Sequence, residues 1–149
     1  MLKIFSLAIS LTLFSFISVA QDFDNLKLSE SEIPAGYSRP AKILCKTVHS
    51  VLFYDQTDIY STFLGSVVKK DFQAFEKKGD KGSILYFVFD RDFTSEVFLE
   101  GLLWGDAGKP TKHKPDDYIV KGKFLIIWSF GLDSEIKKIS KAKLTQYLL

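Results

Sequence analysis

The run Phe124-Leu-Ile-Ile-Trp-Ser-Phe130 constrains the fold more than any other stretch of the chain. Read as a strand, it places Phe124, Ile126, Trp128 and Phe130 on one face and Leu125 and Ile127 on the other. A strand that is apolar on both faces must be covered above and below, so it belongs inside a sheet and not at a solvated edge. Tyr118-Ile-Val-Lys121 precedes it across Gly122, and a tight turn at Lys121–Lys123 uses the ease with which glycine takes a positive φ. A second run, Ile84-Leu-Tyr-Phe-Val-Phe89, is β-branched and aromatic throughout and reads as a buried strand. Before it, residues 66–76 alternate through Val68, Phe72 and Phe75 with room for a bulge. The polar Lys77–Gly82 stretch closes a hairpin over residues 66–90.

Helical signals lie between and after these hairpins. Thr94 can cap a helix with Glu96 in its first turn, and Val97, Phe98, Leu99, Leu102, Leu103 and Trp104 give it a wide apolar face. Gly105 is placed to stop that helix, and Gly101 inside it suggests a close backbone approach. Asp133 can cap a last helix with Ile136, Ile139, Leu144 and Tyr147 on one side and Lys137, Lys138 and Lys141 on the other. Residues 21–41 read as a short edge strand or an extended wrap. Residues 42–64 stay open, since Val51–Tyr54 suits a strand while Ile59-Tyr60 and Phe63-Leu64 are spaced as in a helix. The expected fold is α+β: an antiparallel sheet built from two β-hairpins, with at least two helices packed on it.

The first twenty residues follow a different logic. Lys3 supplies a positive start, Ile4 to Ala20 is apolar apart from hydroxyl residues, and Ser18-Val-Ala20 puts small residues where a signal peptidase cuts. Residues 1–20 therefore read as a cleavable secretory signal and 21–149 as a single domain, secreted or periplasmic. An uncleaved anchor is the alternative, because about 17 apolar residues reach the lower limit for a membrane span. No later stretch is long enough to span a membrane, so no span is expected after cleavage.

Composition narrows the chemistry. A net charge of +2 is too mild to argue for nucleic acid, and one cysteine excludes an internal disulfide or a multi-cysteine metal site. With two histidines and no glycine-rich phosphate loop, nucleophile elbow or calcium loop, neither a cofactor nor a metal is expected. Cys45 and His49 would adjoin on a helix, where the imidazole could help ionise the thiol; on a strand they would stand about 13 Å apart. The local residues lean to strand, with Cys45 buried beside Ile43. His113, Asp116 and Asp117 share a proline-flanked loop whose donors suit a divalent ion or acid–base work, although a solvated turn needs the same residues. Asp90, Asp92, Glu96 and Glu100 cluster at a strand-to-helix junction, with Asp92 best read as a helix-terminus residue. Trp104, at a helix end, is the aromatic best placed for ligand or partner contact, whereas Trp128 belongs to the core.

Charge is also uneven. From Lys109 onward nine lysines face four acids, while residues 21–108 hold ten bases and fourteen acids. Lys137, Lys138 and Lys141 are thus a candidate contact surface. These features favour an exported, non-enzymatic module that binds an envelope or extracellular protein. A small hydrolase using Cys45 and His49, or carboxylates such as Asp92 and Asp117, is one alternative. A secreted inhibitor or immunity-type protein is another.

Overall fold

A computed structural model describes residues 23–148; the leader and its cleavage site lie outside the described residues. A four-stranded antiparallel sheet is built from β1 (Val67–Lys77), β2 (Asp80–Phe89), β3 (Asp117–Lys121) and β4 (Phe124–Ser129). Its strand order is β1-β2-β4-β3, so the two hairpins meet through β2 and β4. Gly79 and Gly122 turn them with φ of 84° and 57°. The central position expected for the doubly apolar strand is observed, and helices cover both faces of the sheet.

The period of two along the strands sorts the core into two layers. Ile84, Tyr86, Val88, Ile126, Trp128 and Phe130 face one side, where α4 (Glu135–Leu148) brings Ile136 and Leu144. Leu85, Phe87, Phe89, Leu125 and Ile127 face the other, packed with Phe53, Leu64, Leu99 and Leu103. Those four come from α1 (Val48–Asp55), the one-turn α2 (Ser61–Leu64) and α3 (Glu96–Trp104). Close packing at the end of the β2–β4 seam requires Gly82: a Cβ there would stand 2.1 Å from the Ser129 carbonyl oxygen.

Residues 23–41 form the wrap. Phe23, Leu26 and Leu28 are buried on the α4 face, and Ser38 makes a single antiparallel bridge to Glu76 on the outer edge of β1. The Gln73 amide copies a strand neighbour, accepting from the Leu28 N–H and donating to its carbonyl at 2.9 Å each. The bulge falls at Val68, which is skipped in the register between Val67 and Lys69 and is 66% exposed.

Several local expectations change. The Val51–Tyr54 stretch is helical: Thr47 caps α1, accepting from the Ser50 N–H, and Phe53 inserts edge-on against Phe87 at 5.2 Å. Burial of this aromatic overrides the strand preference of the valines. Helix α3 begins after Ser95, not Thr94, because the Ser95 hydroxyl donates to the Phe63 carbonyl and ties the helix start to α2. Gly101 faces open space, with nothing within 4 Å of where a methyl group would stand, so no close approach requires it. At α4 the cap is Ser134, whose hydroxyl accepts from the Lys137 N–H, while the carboxylate of Asp80 accepts from the Glu135 N–H.

Candidate functional site

Asp116 is the most connected buried polar side chain on the α1–α3 side of the sheet. It has no exposed surface, and the hydroxyls of Thr47, Ser50 and Ser129 all donate to its carboxylate, that of Ser129 at 2.7 Å. Its carbonyl accepts from the Trp104 indole N–H, also at 2.7 Å. Ser129 in turn accepts from the Lys46 N–H, and Ser83 from the Leu44 N–H. Serines at the end of the central strands thereby bind the irregular segment before α1, and Asp116 binds that segment to the 105–116 loop. Among the described residues no buried side-chain polar atom is without a partner. A fully buried carboxylate that accepts from three hydroxyls holds structure together and turns no oxygen to solvent.

Cys45 lies inside this latch, half-buried against the α1–α3 core. Burial pushes its thiol up to about 12 against the opposing Ser129 hydrogen bond, and the carboxylates of Asp116 and Asp55 add to the rise. At neutral pH it is a thiol and a poor nucleophile. It precedes the Thr47 cap while His49 is in the first turn of α1, so the pair does not share a helical turn.

The remaining candidates are scattered. Asp92 is exposed at the β3–β4 turn, near Gly122, and Asp117 starts β3 at the opposite end, about 13 Å away along the strand. Asp117 is held by Lys141 at 2.6 Å. His113 is exposed in its loop. Trp104 is not a surface platform: Gly105 reverses the chain with φ 57° and the ring lies buried against Tyr118, with centroids 5.7 Å apart. Lys137 is not on a solvated face either. It is 8% exposed, and burial lowers the pKa of its ammonium despite the nearby Asp117 carboxylate. Lys141 is exposed but leans over the Trp128 ring, and Lys138 is turned to solvent.

None of these residues lines either of two clefts among the described residues. A cleft of about 530 Å³ runs along the β1–β2 turn between Ser38, Lys46 and Lys81, and one of about 410 Å³ lies between Phe124, Lys121 and Leu148. Among the described residues no group of three His, Cys, Asp or Glu side chains could hold a metal ion. No helix there is long and apolar enough to cross a membrane.

The feature with no structural use is aromatic. Phe63 of α2 is 64% exposed and stacks on Phe98 of α3, centroids 5.7 Å apart and planes 11° from parallel. Tyr60 meets Phe98 at 5.6 Å. The chain neighbours Ile59 and Val97 are 63% and 86% exposed. The segments that carry this surface are acidic in sequence: residues 52–64 and 90–104 contain Asp55, Asp58, Asp90, Asp92, Glu96 and Glu100 against Arg91 alone. The sequence groups Phe98 with the rest of the wide apolar face of α3 and does not mark it as exposed. The available signal was the excess of apolar residues on α3, six of nine, because a helix lying on a sheet buries one stripe and Leu99, Leu103 and Trp104 already fill it.

Comparison with protein-family models finds no match to this chain, and neither the curated proteins nor the solved structures yield one. The fold itself defines the class: an α+β domain with an antiparallel sheet covered on both faces.

Proposed function

We propose that this is an exported, non-enzymatic binding module that docks a protein of the cell envelope or extracellular space through the Tyr60–Phe63–Phe98 surface. The observation that carries the reading is the stacked Phe63–Phe98 pair facing solvent. Two phenylalanines fixed on neighbouring helices form a rigid apolar anchor, and such anchors dominate binding energy when a partner excludes water from them. The acidic sequence of the segments that carry it favours a partner whose apolar pocket is bordered by lysine or arginine. Export is supported by the pattern of residues 1–20. The catalytic alternative gains no support, since the Cys45 thiol is suppressed and Asp117 is committed to Lys141.

The test is crosslinking in intact cells of the source, followed by affinity measurement with the purified partner. Phe63→Ser and Phe98→Ser should each weaken binding about 30-fold, equivalent to about 2 kcal/mol, while the exposed-lysine control Lys138→Ser leaves it unchanged. Both variants should keep the circular dichroism of the parent. A partner bound equally well by all three variants would remove the aromatic surface from the proposal.

A further inference from the structure

We infer that β3 is a self-pairing edge, through which two copies of this chain join their sheets into one of eight strands about a two-fold axis. Gly122 and Lys123 connect Lys121 to Phe124, and a two-residue turn makes that closing pair a hydrogen-bonded one. Alternation then directs the backbone groups of Asp117, Ile119 and Lys121 to β4 and those of Tyr118 and Val120 outward. The Tyr118 N–H conforms, since it donates to the Asp117 side chain at 2.9 Å and not to the ladder.

Among the described residues no strand pairs with that outer edge. The opposite edge of the sheet is managed differently. Strand β1 carries a bulge at Val68, the exposed Lys69 and Lys70, the Gln73 side-chain clamp and the Ser38 bridge, all of which obstruct a further strand. Strand β3 has no proline, bulge or mid-strand charge, and its centre is Tyr118-Ile-Val120.

The register follows from the pattern itself. Antiparallel pairing about Ile119 sets Tyr118 against Val120 of the other copy, and the outward groups of both pairs form four backbone hydrogen bonds once each Tyr118 N–H leaves the Asp117 side chain. Shifting by two residues either way halves that number within the strand. The same register puts Asp117, which also holds Lys141 of its own α4, opposite Lys121 of the other copy, twice, on the face that also carries Ile119. Opposite charges at directly facing positions are the favourable cross-strand arrangement. A strand whose charge is reversed end to end is complementary to itself about a two-fold axis, as an isologous interface requires.

A charge exchange tests this by sedimentation equilibrium on protein purified from cells expressing the full chain. The wild type should dimerise at about 100 μM. Lys121→Glu, at an exposed position, and Asp117→Lys should each weaken the dimer at least about tenfold, since each creates two like-charge pairs. An equimolar mixture of the two variants should restore a dimer, because both facing pairs become opposite again. Lys138→Glu makes the same charge change on α4 and should have no effect. A wild type that stays monomeric would overturn the inference. So would a dimer insensitive to Lys121→Glu, a result that stands even if Asp117→Lys fails to fold. A dimer lost in Phe63→Ser but kept in Lys121→Glu would place the contact on the aromatic surface instead.

Discussion

Asp116 shows how one side chain can decide the path of a long irregular segment. Residues 39–47 have no ladder of their own, and their anchoring comes from Ser83, Ser129 and Asp116. Asp116→Ala would leave the hydroxyls of Thr47, Ser50 and Ser129 without their shared acceptor in a buried setting. We expect a loss of about 2–4 kcal/mol in urea unfolding, allowing for hydroxyls that rotate to other acceptors, with Asp116→Asn costing less because one carbonyl oxygen remains. Equal stability of the alanine variant would refute the latch. In the sequence Asp116 is indistinguishable from Asp117, since both follow Pro115 in a polar loop. Three hydroxyls from positions 47, 50 and 129 converge on one of them only after folding.

At the scale of the element, α3 carries an avoidable weakness. Gly101 lies in mid-helix, exposed, with room for a methyl group and no positive φ. Gly101→Ala should therefore stabilise the protein by about 0.5–1 kcal/mol, visible as a Tm a few degrees higher; an unchanged or lower Tm would show that the glycine has a role in packing after all. Gly82, an ordinary-looking glycine in a strand, is the position that has no room. Spacing along the chain placed Gly101 inside a helix and Gly82 at the end of a hairpin turn, whereas Gly82 lies within β2. Which one is required depends on the strand or helix that lies across from it.

For the molecule as a whole, the N-terminal wrap is held electrostatically as well as by Phe23, Leu26 and Leu28. Lys143 of α4 donates to Glu32 at 2.8 Å and to the Lys27 carbonyl, and Lys27 pairs with Asp71. The Lys143 hydrogen bond, with those from Ser29, lowers the pKa of Glu32 against a small effect of burial. For Asp71 burial works upward, but the Lys27 ammonium and the Phe72 N–H outweigh it and the net shift is downward. Both folded carboxyls thus sit below their unfolded values. Their contribution is complete above the ordinary carboxylate range and is lost as the pH falls through the lowered values. Hydrogen exchange, corrected for intrinsic rates, should show residues 23–33 losing protection below about pH 4 while β2 and β4 stay protected. Lys143→Met should flatten part of that dependence. Uniform loss of protection across the sheet would contradict it.

The sequence by itself determined the two hairpins, the central place of the Phe124–Phe130 strand and the sorting of its side chains. Period-two apolarity on both faces admits only a covered interior strand, and turn glycines mark where the chain reverses. It also carried the helical pattern of α3 and α4. The tertiary structure alone decided which apolar residues remain outside. Phe98 and Trp104 lie on the same apolar helix, yet one faces solvent and the other is roofed by the 105–116 loop, because burial depends on what crosses over a residue. The helix at 48–55, the buried Lys137 and the outward edge of β3 have the same origin: contacts between segments distant in the chain, which local periodicity does not encode.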